Sequence, residues 1–247
     1  MIIDLVHVRF LYRSWENNKK KIQSCYIHKS IAISRHLWYF IAMKFEQLLK
    51  LLNGETIFSS SMLLAGNVSI GAIRKQLTRW VSKGKLIQLR RGIYAVAQPY
   101  KDIQPHPFLI ANMVKRASYV SLQSALAYFG IIPEYVPIIT SVTTGRTEEL
   151  TTKLGRFQFR HIKKELFWGY KEVEISNGIK VFIALPEKSL LDLIYLTPQS
   201  DSIEYLEELR LQNNENIDTK ILTDFAQKYR TPKLSRAAIR IINLIQE

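Results

Sequence analysis

The chain has 247 residues, 47% of them hydrophobic, which is enough to bury one large core or two small ones and excludes disorder throughout. Its formal charge of +14 points to a polyanionic partner, either nucleic acid or an anionic membrane surface. The single cysteine, Cys25, excludes an internal disulfide framework and a Cys-rich metal site and fits a reducing cytoplasm, and no run of about 18 apolar residues is present to span a membrane.

The charge is unevenly spread. It is +5 over residues 1–42, +7 over 43–105, +3 over 106–196 and −1 over 197–247. Residues 1–42 carry a Lys19-Lys20-Lys21 run, little periodicity, and an apolar patch near Leu37–Ala42 that Arg35 and His36 interrupt. They make a poor signal peptide, which needs a continuous apolar stretch and a small-residue cleavage site. They read as a non-core extension, and Met43, where strong patterning begins, as an alternative start.

From Met43 the pattern is helical. Phe45, Leu48, Leu49, Leu51 and Leu52 share one broad face, and Asn53-Gly54 supplies a C-terminal stop. Ser59 or Ser60 can cap a second short helix over Met62, Leu63 and Leu64, ending at the turn near Gly66-Asn67. Ser69 then caps a third helix, in which Ile73, Leu77, Trp80 and Val81 recur at core spacing and Gly84 is the stop. Its opposite face carries Gly71, Arg74, Lys75, Thr78, Arg79 and Ser82 without one acidic residue, whereas an ordinary solvated helix mixes both signs.

Two short β runs follow, Leu86–Leu89 and Ile93–Val96, around the basic turn Arg90-Arg91-Gly92. Helices followed by such a hairpin form a winged helix-turn-helix over 43–100. In that arrangement the third helix enters the major groove and the hairpin lies along the phosphate backbone. Ser69, at the start of that helix, belongs to the DNA-facing set. Arg74, Lys75 and Thr78 are the expected base-edge readers, and Arg79, Lys83, Arg90 and Arg91 the expected phosphate contacts. Any one of these cations alone reads equally well as a solvated surface residue; together they are harder to dismiss. Trp80 and Tyr94 are expected in the core rather than against bases.

Lys101–Pro107 has two prolines and no periodicity and reads as a linker. Beyond it, 106–247 reads as a larger α+β domain. Helices are expected over Phe108–Arg116 and Leu122–Phe129, the latter capped by Ser121 and closed by Gly130. Strands are expected over Pro137–Thr143 and Arg156–Ile162, where Phe157, Phe159 and His161 alternate against Arg156, Gln158 and Arg160. Glu172–Ser176 and Ile179–Leu185 flank Asn177-Gly178, a type I′ hairpin signal. Pro186 opens a helix with Leu190, Leu191 and Ile194 inward, and the last fifty or so residues look helical, with Asp218 and Ser235 as caps. The fold class is therefore α+β: a winged helix-turn-helix, then a mostly antiparallel or mixed sheet with C-terminal helices.

Catalytic chemistry is hard to find. Gly84-Lys85 lacks the upstream glycine of a phosphate-binding loop, and the five histidines make no zinc cluster. The one carboxylate-x-Lys triplet, Asp218-Thr219-Lys220, sits at an expected helix start rather than on a nuclease strand. His161 reads as a satisfied core histidine, Glu187 as a helix-dipole partner, and Asp192 as paired or solvated. No catalytic residue, metal site or cofactor is expected.

The blocks KGKLIQLRRGIYAV (83–96), YVSLQSALAYFGIIPE (119–134), ITSVTTGRT (139–147), FRHIKKELFWGY (159–170) and ALPEKSLLDLIYL (184–196), in that order, resemble the AbiEi family of abortive-infection antitoxins over about residues 43–200. The resemblance implies a cytoplasmic antitoxin of a type IV toxin–antitoxin pair, whose functional partner is a nucleotidyltransferase toxin that it need not contact. It further implies a winged helix, mapped here on 69–96, that represses its own operon at inverted repeats in double-stranded promoter DNA. Antitoxin activity would lie in 106–247. Two other classes stay open: a stand-alone winged-helix regulator whose second domain senses a ligand or partner, and a nucleic-acid-processing enzyme.

Overall fold

The structure is a computed structural model that describes residues 43–64, 69–101, 103–176 and 178–246. Residues 45–247 form one compact unit, and the 1–42 extension lies outside the described residues.

The first elements are α1 (Phe45–Leu52), β1 (Ile57–Ser59), a 3-10 turn (Ser60–Leu64), α2 (Ile70–Ser82), β2 (Leu86–Arg90) and β3 (Ile93–Val96). Helix α1 is amphipathic as its spacing predicts, with Phe45, Leu48 and Leu52 buried. The expected second helix is a 3-10 turn that buries only Leu63; its end near Gly66-Asn67 lies outside the described residues. Five residues beginning with two serines form too short a segment for stable α-helical pairing, and the tighter 3-10 bonding suits such pieces. Strand β1 is an addition: it pairs antiparallel with β3, so the wing is the edge of a three-stranded sheet ordered β1-β3-β2. Gly92 closes the wing at φ +84, a conformation that L side chains avoid, while its carbonyl accepts the Ser60 N–H at 2.7 Å.

The second set comprises α3 (Pro107–Val114), β4 (Ser118–Val120), α4 (Leu122–Tyr128), β5 (Ile138–Thr143), β6 (Glu148–Thr152), β7 (Gly155–His161), β8 (Tyr170–Ser176), β9 (Ile179–Ala184), α5 (Pro186–Leu196), α6 (Ile203–Glu208), α7 (Thr219–Lys228) and α8 (Pro232–Gln246). The six strands form a mixed sheet ordered β6-β7-β5-β4-β9-β8, parallel at β5–β7 and β4–β9 and antiparallel elsewhere. The fold is α+β, as expected.

The edge strands β6 and β8 carry no buried residue, while over the centre of the sheet both faces are covered. On one, Tyr119, Val142 and Ala184 pack with Leu126, Leu190, Leu191, Leu222 and Leu234 of the helices. On the other, Val120, Phe157, Phe159, Val181 and Ile183 pack with Phe108, Ile110 and Val114 of α3 and with Ile57, Leu89 and Ala95 of the winged-helix sheet. Fully burying each such aliphatic side chain stabilises the fold by about 1.5–3 kcal/mol. The wing is thus seated on the same apolar layer that covers the large sheet.

Caps behave as their chemistry dictates in one case and not in two others. Asp218 accepts hydrogen bonds from the Lys220 and Ile221 amides and caps α7. Ser121 stands at the N-cap of α4, but its hydroxyl donates to Asp192 instead. Ser235 is no cap: α8 begins at Pro232, whose fixed φ suits a first turn, so Ser235 falls inside the helix.

Candidate nucleic-acid interface

Helix α2 carries the candidate site. Ile73, Leu77 and Trp80 are buried beneath it, Val81 is half-buried, and Trp80 packs edge-on against Phe45 at 5.4 Å. That anchoring turns Arg74, Lys75, Thr78 and Arg79 outward; Arg74, Lys75, Thr78 and Arg79 are all exposed. Arg74 and Thr78 are one turn apart, and Thr78 Oγ1 donates to the Arg74 carbonyl at 2.9 Å. The hydroxyl is therefore satisfied within the helix, although its oxygen can still accept.

Ser69 is exposed at the N-cap of α2 with extended backbone angles, and its side chain makes no capping bond. Lys83 is exposed at the C-cap, where a cation also complements the helix dipole. Tyr94 is buried against Phe58 with ring centroids 5.8 Å apart, so both it and Trp80 are core residues, as their alternation and helical spacing predict. Burial pushes the Tyr94 hydroxyl up, and the Arg74 guanidinium pulls the other way.

The two wing arginines differ. Arg91 is exposed in the turn. Arg90 is half-buried, its Nη1 2.9 Å from Glu148 Oε1 and 3.3 Å from the Val114 carbonyl, to which it donates. Glu148 Oε2 also accepts from Lys115 Nζ at 2.7 Å. Hydrogen bonding from Lys115, aided by Arg90 and opposed by partial burial, holds the Glu148 carboxyl below its ordinary range. Arg90 thus clasps the wing to β6 and α3. Nothing in the local sequence signals that clasp, because its partners lie 24 and 58 residues away.

The residues weighed for catalysis take other places. His161 is exposed, not in the core: it is the last residue of β7, paired with Thr143 at the end of the sheet, and its Nδ1 lies 2.8 Å from the Gly145 carbonyl. Ile162 takes the burial that alternation assigned to His161. Glu187 is buried in the first turn of α5, where Oε1 accepts the Asp218 amide at 2.8 Å and so ties α5 to α7.

Asp192 is fully buried at the centre of a polar network. Lys188 and Tyr229 donate to Oδ1, the latter at 2.6 Å, while Tyr119 and Ser121 donate to Oδ2 at 3.0 and 2.9 Å. Lys188, also fully buried, donates to the Tyr229 hydroxyl at 2.7 Å. Burial pulls its ammonium pKa down and Asp192 opposes that shift. Both tyrosine hydroxyls are pushed well above their ordinary value, first by burial and then by the Asp192 charge. The Asp192 carboxylate oxygens are occupied from all these sides.

No group of three or more potential metal-ligating side chains occurs among the described residues. Likewise, among the described residues no helix is long and apolar enough to cross a membrane. Residues 46–97, which run from α1 to just past β3, match the model of the family described as "Transcriptional regulator, AbiEi antitoxin". No curated protein matches the chain.

Proposed function

We propose that this chain, whose residues 46–97 match the model of the AbiEi antitoxin family of transcriptional regulators, is the antitoxin of a type IV toxin–antitoxin pair and represses its own operon. The observation that carries the reading is the exposed face of α2. Arg74, Lys75, Thr78 and Arg79 stand on it, and the helix contains no carboxylate.

In this reading α2 enters the major groove of promoter DNA at inverted repeats. Arg74, Lys75 and Thr78 read base edges, and Ser69, Arg79, Lys83 and Arg91 contact phosphates. Arg90 contributes at the turn end of β2 through the charge left over from its clasp. The winged helix is taken as 43–100 and the antitoxin domain as 106–247, which opposes a nucleotidyltransferase toxin in the cytoplasm. In this reading the role is not enzymatic, which the commitment of Asp192 and Glu187 to internal hydrogen bonds supports.

The test is a salt-titrated binding assay on operator and scrambled DNA, run beside co-expression with a nucleotidyltransferase toxin. Arg74→Ala should remove a base-edge hydrogen bond and narrow the gap between the two DNAs while toxin neutralisation persists. Unchanged operator affinity for Arg74→Ala and Arg91→Ala at every salt concentration would leave α2 a solvated surface.

A further inference from the structure

We propose that the cleft between the β7–β8 connection and the C-terminal helices binds a nucleoside phosphate, either free or as the end of an RNA strand. The cleft has a volume of about 860 Å³, within the range of small-molecule sites. Its walls combine three half-buried aromatic rings, Trp168, Tyr195 and Phe225, with three cations, Lys163, Lys228 and Arg230. Glu165 is the only acidic residue among its lining residues.

The rings are held in place. Trp168 packs edge-on against Phe225 at 4.8 Å and 77° and against Tyr229 at 5.6 Å and 65°. Tyr229 is fixed in turn by the buried Lys188–Asp192 pair, and Lys188 Nζ lies 5.0 Å from the Trp168 ring centre. A pre-ordered indole with part of its surface open is a stacking platform for a flat base.

The cations keep their charge for a ligand. Lys163, Lys228 and Arg230 are exposed, and none enters an ion pair among the described residues. Lys228 has an ordinary role in the last turn of α7, where it complements the helix dipole. Its Nζ lies 5.5 Å from the Trp168 ring centre and 5.0 Å from that of Phe225, which sets a charge beside the platform. Arg230 has no such helical role: it sits just past α7 at φ +53, a left-handed position that glycine would occupy with less strain. Arg230 lines the cleft there as a third cation beside Lys163 and Lys228.

Ligand class follows from the pairing of surfaces. A neutral aromatic would leave the three cations unused, and an aliphatic acid would leave the rings unused. A nucleoside phosphate uses both, with its base on Trp168 and its phosphate toward Lys228 and Arg230. The site is separate from the α2 face and does not depend on the DNA-binding reading.

The test uses the full chain in equilibrium dialysis against ATP, GTP, CTP and UTP, and in fluorescence anisotropy with short labelled RNA. Arg230→Gly removes the cation without backbone strain, and Trp168→Leu removes the platform. Each should weaken binding about tenfold, a typical effect of deleting one stacking interaction or one charge contact. Saturation by nucleotides alone identifies the free ligand, and saturation by RNA alone identifies a strand end; either supports the proposal. The proposal is overturned if neither probe saturates, if Arg230→Gly binds as tightly as the parent, or if operator DNA displaces the RNA.

Discussion

The face of α2 and the interior beneath α5 use charge in opposite ways. On α2, Arg74, Lys75 and Arg79 are exposed and the helix is secured by Ile73, Leu77 and Trp80, so the cations add little to folding. Beneath α5, Lys188 and Asp192 are wholly buried and tied to Tyr119, Ser121 and Tyr229. A charge that serves a partner must be spared by the fold; one that serves the fold has no capacity left for a partner. Arg90, half-buried on Glu148 at the turn end of β2, lies between these cases.

The largest expected effect comes from breaking the interior pair. Asp192→Ala leaves the Lys188 ammonium buried without a counter-charge, which costs about 3–5 kcal/mol. Denaturant unfolding should show the loss in midpoint. Replacing both members together, Lys188→Met with Asp192→Leu, removes the orphaned charge but leaves the Tyr119, Ser121 and Tyr229 hydroxyls without their acceptor, so it should recover only part of the loss. If Asp192→Ala keeps the parent's stability but loses toxin neutralisation, the network has a direct role in antitoxin activity and the comparison fails.

The opposite pattern is expected on α2. Arg74→Ala should weaken operator binding by about 1–3 kcal/mol while its unfolding free energy stays within about 0.5 kcal/mol of the parent. A smaller and differently shaped effect belongs to Arg91→Ala. It should weaken operator and scrambled DNA alike and lower the salt slope by about one unit, because one fewer phosphate is neutralised. Equal loss of stability in either variant would mean that these cations belong to the fold.

What the sequence revealed divides along the same line. The α2 stripe was legible because helical period alone separates Ile73, Leu77 and Trp80 from Arg74, Lys75 and Thr78. The wing was legible from Arg91-Gly92 between two β runs. Strand β4 was not: its three residues are all buried, because both sheet faces are covered, so no alternation marks them. Lys188 and Asp192 are four residues apart and could be read as a helical pair. Their burial could not, since Tyr119 and Tyr229 reach them from 73 and 37 residues away. His161 misled for a local reason: alternation persists to the end of β7, but the sheet does not continue beyond it.

The smallest expected effect concerns the clasp, and it decides to which region Arg90 belongs. Glu148 has its carboxyl held below the ordinary value of 4.5 by Lys115 and Arg90, so its contribution to stability is fully present above 4.5 and is lost as pH falls through the folded-state pKa. Because the pair is partly exposed and screened, Glu148→Gln should cost only about 0.5–1 kcal/mol at neutral pH. The stability difference between parent and variant should shrink toward zero in acid well below 4.5, and taking the difference cancels groups common to both proteins. A difference that persists in acid would mean that packing, not charge, seats the wing. The same variant also removes a carboxylate from beside Arg90. If Arg90 reaches a phosphate, Glu148→Gln should tighten binding to scrambled DNA at low salt and steepen the salt slope, since the guanidinium no longer shares its charge with Glu148. Unchanged DNA affinity would place Arg90 with Lys188, a cation whose charge is used to hold the protein together.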